Sequence, residues 1–164
     1  MAEAHVTVFA GNRQVLIDAD AAHLFERLTW RYAQRTRKWY VVSATSKQGK
    51  TVHMYLHRVV MNALPGQVCD HINGDTLDNR RCNLRIVTLQ QNAFNAAKKP
   101  SKHGNRFRGI STRAHGYGSQ IRANGKIMHL GTFRTDVEAA YAYDVASLQH
   151  HGEHGRRNFL PLVT

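Results

Sequence analysis

A chain of 164 residues is one domain or two small modules by length, which excludes a large multidomain enzyme. Hydrophobic residues make up 42% and charged residues 21%, as in soluble globular proteins, so disordered and fibrous classes are excluded. The formal charge of +12 points to a polyanionic partner, and no apolar run approaches the roughly 18 residues of a membrane span.

The opening residues Met1 to His5 lack the basic-then-apolar pattern of a secretory leader, so a cytoplasmic protein without membrane contact is expected. Cys69 and Cys82 are too few for a disulfide framework and lack zinc-knuckle spacing, so reduced, unligated thiols are expected. Residues 5 to 47 alternate β-rich runs (Val6 to Phe9, Val15 to Ile17, Trp39 to Val42) with a helix from about Ala21 to Leu28. No chemistry stands out there, and residues 1–50 have no evident role. Lys47 to Lys50 reads as a hairpin turn. A strand, Val52 to Leu56, then runs into a short helix, His57 to Leu64, closed by Pro65-Gly66.

Residues 68–97 read as a unit: a strand end at Val68, a polar loop from His71 to Asn83, a strand from Leu84 to Val87, and a helix opening at Thr88. Thr88 and Gln91 have capping-box spacing. The basic, Pro-containing stretch 98–105 reads as a linker, which divides the chain into 1–97 and 106–164. The second part reads as three strands (106–112, 117–123 and 127–133) and one helix. Asn124-Gly125 supplies a hairpin turn, Thr135 and Glu138 a capping box, and Gly152 the helix stop. Val137, Ala140, Tyr141, Asp144, Val145 and Leu148 repeat at helical spacing. Tyr141, Tyr143, Phe133 and Phe159 are expected to build its core. The class is α+β: a ββα unit with a β-rich N-terminal extension, then a three-stranded antiparallel sheet packed on one helix.

Charge is unevenly placed. From Asn79 to Thr135 there is no Asp or Glu, while arginines and lysines recur throughout, which suits a surface that tracks phosphates. Arg80, Arg81 and Arg85, beside the polar loop, are candidate phosphate contacts. Arg106, Arg108, Gln120 and Arg122 are expected on the solvent face of the second sheet.

The chemistry concentrates in four residues. Asp70 and His71 are adjacent at a strand end, Asn83 lies twelve residues past His71, and Asn92 lies on the following helix. Oxygen ligands from Asp70 and Asn92 suit one Mg²⁺ or Mn²⁺ better than zinc. A neutral imidazole at His71 can take a proton from an attacking water, with activity rising between about pH 6 and 8. Asn83 can hydrogen-bond the loop backbone and so fix the imidazole. His57 is either a support or DNA contact or a structural histidine. Asn73, Asp75 and Asp78 read as turn formers, because the glutamate that closes a calcium loop is missing. His150, His151 and His154 read as an ordinary helix terminus.

The phrases Leu56-His57-Arg58, Asp70-His71-Ile72-Asn73-Gly74-Asp75, Leu77-Asp78-Asn79-Arg80-Arg81, Asn83-Leu84-Arg85 and Gln91-Asn92 resemble the HNH endonucleases of the phage and intron homing type, over about residues 13–97. The resemblance implies His71 as general base, Asp70 and Asn92 as ligands of one metal, Asn83 as the central asparagine, and a setting in a bacterial or phage-infected cell. Residues 106–160 resemble the APETALA-type, ethylene-response-factor DNA-binding domain through Phe107-Arg108-Gly109-Ile110, Gln120-Ile121-Arg122, Leu130-Gly131-Thr132-Phe133, Glu138 to Asp144, and Asn158-Phe159. That family would set its sheet in the DNA major groove. Ser111 and His129 depart from its usual Arg and Trp, so base preference does not carry over. The expected partner is double-stranded DNA, with no protein partner implied and monomer or dimer left open. The alternatives are a non-catalytic DNA-binding or regulatory protein, and a phage repair or packaging nuclease without homing specificity.

Overall fold

Val15 and Ile17 share one buried strand face, and the Gly11-Asn12 turn returns the chain at Arg13, so strands β1 (His5–Ala10) and β2 (Arg13–Asp18) pair as an antiparallel hairpin. A computed structural model describes residues 4–35, 38–96 and 106–159, and the expected linker 98–105 lies outside the described residues. Contacts group the chain into two units, Met1–Leu89 and Gln90–Thr164.

In the first unit, a short helix α1 (His23–Arg27) takes the place expected for a longer one. A sheet of three antiparallel strands follows: β3 (Arg31–Arg35), β4 (Lys38–Lys47) and β5 (Lys50–Tyr55). Strand β3 had no expected counterpart, because its charged ends hide the alternation. Gln48 and Gly49 both take positive φ, as the tight turn between β4 and β5 requires. Helix α2 (Leu56–Val60) stops earlier than expected, since Asn62 turns left-handed and Arg58 donates to the carbonyls of Leu64 and Gln67, folding residues 61–67 into a loop. Strands β6 (Val68–His71) and β7 (Leu84–Val87) pair antiparallel, with Asp70 opposite Arg85 and His71 opposite Leu84. Ala10, Val15, Ile17, Ala21, Trp30, Val41, Leu56, Val60 and Leu84 make one buried core, so hairpin, sheet, α2 and β7 share it.

In the second unit, strands β8 (Ile110–Arg113), β9 (Gly116–Ala123) and β10 (Lys126–Phe133) form an antiparallel sheet in the order β10-β9-β8. The seven-residue helix α3 (Leu89–Asn95) belongs here apart from its first residue. The Phe94 ring stacks on His151 at 3.8 Å, and the Ala96 carbonyl accepts from Arg108. Helix α4 (Asp136–His151) opens with the expected capping box, Thr135 accepting from the Glu138 N–H and Glu138 from the Thr135 N–H, both at 3.1 Å. Gly152 ends it with positive φ.

Two expectations are corrected in this unit. The face of α4 that is buried carries Ala139, Ala140, Tyr143, Asp144, Ala146, Ser147 and His151, while Tyr141, Val145 and Leu148 are exposed. Small residues let the helix lie close on the sheet, and the larger side chains fall outside that contact. Tyr141 and Phe159 are thus not core residues but lie against one another at the surface, ring centres 4.7 Å apart and planes tilted by 32°. Tyr143 does join Ile121 and Ala146 in the core.

Candidate active site

The loop between β6 and β7 folds through its own side chains. Asn73 and Asp75 accept from the backbone N–H groups two residues on, of Asp75 at 2.7 Å and Leu77 at 2.9 Å, and Gly74 takes positive φ. These are the turn formers the composition predicts. Asn83 reaches across the loop: its Nδ2 donates to the Asp78 carbonyl at 2.8 Å and to Asn73 Oδ1 at 3.0 Å, and its Oδ1 accepts the Asn73 N–H at 3.0 Å. It binds loop backbone and side chain, as its type and position suggest.

Another asparagine meets the imidazole. Asn79, fully buried, donates from Nδ2 to the Thr76 carbonyl at 3.0 Å, which turns its Oδ1 toward His71 Nε2 at 3.4 Å. An amide oxygen only accepts, so Nε2 carries the proton and Nδ1 is the basic nitrogen. Asn79 belongs to the motif phrase Leu77 to Arg81, but the sequence alone assigns it no role. His71 itself is 4% exposed, and burial pushes its pKa below the ordinary 6.5 against the contrary pull of Asn79 and of Asp70, Asp75 and Asp78. The imidazole is therefore neutral at pH 7. Replacing Asn79 by Ala should lower kcat about 10- to 100-fold by freeing the tautomer. Asn79→Asp should instead move the acid limb of the pH profile upward, because a carboxylate favours the imidazolium. An unchanged profile in Asn79→Asp would show that the contact does not orient the base.

Beneath His71 lies His57, its ring 5.0 Å from the His71 ring and 5.4 Å from that of Tyr40. Burial, with help from His71 and Arg58, pushes the His57 pKa down to about 3. A group whose folded pKa lies below its unfolded value binds more protons when unfolded. Stability is therefore complete above about pH 6.5 and is lost as pH falls through the folded pKa. At about 1.4 kcal/mol per unit, the loss by pH 3 is on the order of 5 kcal/mol. Chemical denaturation of the wild type and of His57→Gln between pH 7 and 4 measures it. Equal pH slopes would remove His57 from the acid transition.

The three arginines expected at phosphates each meet a carboxylate. Arg80 binds Asp78 through two 2.8 Å hydrogen bonds, which hold the Asp78 carboxyl below its usual range. Arg81 bonds to Asp18 at 3.1 Å and Asp20 at 2.7 Å, while its backbone N–H reaches Asp18 at 2.9 Å. Arg85 lies on Asp70 at 3.1 Å, both side chains largely buried. A phosphate that approaches these groups competes with a carboxylate already in place. Strand β2 also clasps the loop: Leu16 N–H donates to the Leu77 carbonyl at 2.9 Å, and the Asn79 N–H to the Leu16 carbonyl at 2.8 Å. Residues 1–50, without an evident role in sequence, thus hold the loop that holds His71.

Asn92 lies half-buried on α3, within the second contact unit, and Asp70 within the first. Their donors fit a hard divalent cation by chemistry, a carboxylate and an amide oxygen, and Asp70 already has a cation's charge beside it in Arg85. Among the described residues no group of three or more His, Cys, Asp or Glu is arranged so that it could hold a metal ion. Both cysteines are free thiols.

On the second sheet, Gln120 and Arg122 are exposed on β9, alternating with buried Ser119, Ile121 and Ala123. Arg106 and Arg108 are not on the sheet, because β8 starts only at Ile110. The preceding turn needs glycine: Gly109 has φ +76°, and a Cβ there would overlap the Tyr143 ring. Arg108 accordingly folds inward, its Nε on the Tyr143 hydroxyl at 2.7 Å and its backbone N–H on Asn158 at 2.7 Å, while Arg106 remains exposed. Buried Asp144 takes the N–H groups of Asn158 and Phe159 at 2.7 and 2.8 Å.

Residues 54–94 match the HNH endonuclease family, so the chain carries an HNH endonuclease domain. Among its relatives is an uncharacterized HNH endonuclease of Acanthamoeba polyphaga mimivirus, 30% identical over 132 residues, 74% of this chain and 66% of that protein. An AP2/ERF and B3 domain-containing protein of Oryza sativa subsp. japonica is 32% identical over 119 residues, 71% of this chain and 30% of that protein. An ethylene-responsive transcription factor of Arabidopsis thaliana is 23% identical over 146 residues, 84% of this chain and 34% of that protein. The chain thus spans 66% of the viral relative's length and about a third of the plant ones. No solved structure matches the chain. No helix among the described residues is long and apolar enough to cross a membrane.

Proposed function

We propose that this protein is a metal-dependent DNA endonuclease of the homing type, which hydrolyses phosphodiester bonds at preferred sites in double-stranded DNA. The observation that carries the proposal is the neutral His71 imidazole, buried at the end of β6 with its Nε2 proton on Asn79, inside the segment that matches HNH endonucleases. In this reading His71 Nδ1 takes a proton from a water that attacks the scissile phosphorus, and Asn79 and Asn83 hold imidazole and loop in place. Asp70 and Asn92 would hold one Mg²⁺ or Mn²⁺, which when bound supplies charge to screen the phosphate and the leaving oxygen. The ββα-metal reading of β6, β7 and α3 belongs to the same proposal, as does the infected-cell setting suggested by the viral relative.

Residues 106–164, which resemble an APETALA-type DNA-binding domain, would supply address and affinity through the exposed sheet side chains Gln120 and Arg122 and through the exposed Arg106, which pairs with Asp136 at 3.3 Å. Arg80, Arg81 and Arg85 would exchange carboxylate for phosphate as DNA arrives. Incubation with supercoiled plasmid tests the proposal: Mg²⁺ or Mn²⁺ should give nicked or linear product, EDTA should stop the reaction, and zinc should substitute poorly. Binding of DNA without cleavage in any of these ions would favour the regulatory-protein reading instead.

A further inference from the structure

The first unit has a second chemical feature, away from His71. Its two tryptophans behave differently. Trp30 is buried and donates to the Leu24 carbonyl at 2.9 Å, as a core indole does, whereas Trp39 leaves 49% of its surface exposed. Tyr32 and Trp39 lie on one face of the β3–β4 pair, since Trp39 is opposite Gln34, two residues on from Tyr32, and their rings stack with centroids 5.4 Å apart and planes 28° apart. The Arg13 guanidinium stands 5.9 Å from the Tyr32 ring centre. Together with Asn12 these three side chains line an open cavity of about 530 Å³, within the range of roughly 300 to 1,000 Å³ typical of small-ligand clefts. A neighbouring cavity of about 560 Å³ shares Asn12 and Arg13 and reaches Asp75 and Leu77 in the catalytic loop.

We infer that Tyr32, Trp39, Arg13 and Asn12 form a stacking subsite for one unpaired nucleobase of DNA. The inference rests on the nuclease reading above and adds to its double-stranded substrate a preference for DNA that carries an unpaired base in a gap or flank. Each part of the subsite has a role in such recognition. The indole and phenol rings offer a flat π surface that any base can cover, the guanidinium adds a cation for ring or phosphate, and the Asn12 amide has a donor and an acceptor for a base edge. The Arg13 guanidinium, on a protein of net charge +12, suits the phosphate backbone of a strand laid across these rings. The subsite is also registered to the active loop. The Tyr32 hydroxyl and Thr76 Oγ1 are 3.2 Å apart, and the β2 strand that begins at Arg13 bonds to both Leu77 and Asn79. A base held on Trp39 would therefore be held at a fixed place relative to His71.

The test measures binding of the full chain, without divalent ion so that nothing is cut, to a fully paired duplex and to the same duplex with a gap of a few nucleotides. The gapped DNA should bind more tightly and quench Trp39 emission, which the paired duplex leaves unchanged. Trp39→Ala should reduce affinity for gapped DNA by roughly 5- to 150-fold while sparing the duplex, and Trp39→Phe should keep most of the preference. Equal affinity of the wild type for both DNAs with no selective quenching, or an equal loss on both in a folded Trp39→Ala, overturns the subsite and leaves the nuclease reading standing. Absence of binding to either DNA overturns both. The quenching readout uses the wild type alone, so it decides the matter even if Trp39→Ala does not fold.

Discussion

Replacing His71 by Ala should lower the cleavage rate by about 10²- to 10⁴-fold while leaving DNA affinity nearly unchanged, because a general base acts in the transition state and adds little to ground-state binding. The pH profile gives an independent reading of the same group. Its acid limb lies lower than the sequence suggests: burial holds the His71 pKa under 6.5, so activity should climb on the acid side of that value and be level by about pH 7. Single-turnover cleavage by wild type and variant across pH measures both effects. Wild-type rates in His71→Ala, or a limb that persists unshifted in it, would transfer the base role to another group.

The second large effect concerns the Asp70–Arg85 pair. Side-chain exposures of 10% and 13% make this a buried ion pair, and removal of one partner from such a pair costs about 3 to 5 kcal/mol because the other charge is stranded. Arg85→Ala should therefore lower the melting temperature by on the order of 10 °C in EDTA. Divalent ion should restore much of the loss, since ligand at about a hundred times its Kd contributes roughly 2.7 kcal/mol. The wild type should gain less, because there the metal must displace a guanidinium. Thermal melting of both proteins with and without Mn²⁺ decides this. If the ion stabilises them equally, Arg85 and the metal do not share Asp70.

Much of this was legible because it is local. The polar loop announces itself through Asn73, Gly74 and Asp75, whose side chains bond to their own backbone, and Thr135 with Glu138 caps α4 as spacing demands. What escaped is what depends on distant partners. Nothing near Asn79 says that its amide will be turned by Thr76 toward His71, and nothing near Asp18 or Leu16 says that β2 will grip a loop some sixty residues on. Arg108 looks like a surface arginine until Gly109 closes the turn and Tyr143 takes its guanidinium. On α4 the spacing of large apolar residues named the wrong face, since close packing on the sheet selects for small side chains.

The grip of β2 on the loop that carries His71 limits how the HNH segment can be moved between proteins, in evolution or in the laboratory. A cassette of residues 54–94 would carry Asp70, His71, Asn79 and Asn83 intact, but it would leave behind the Leu16 backbone that anchors Asn79 and the Asp18 carboxylate that receives Arg81. A transplantable unit must begin at the first hairpin, so recombination that cuts between Asp18 and the loop delivers His71 and its loop without the strand that holds them.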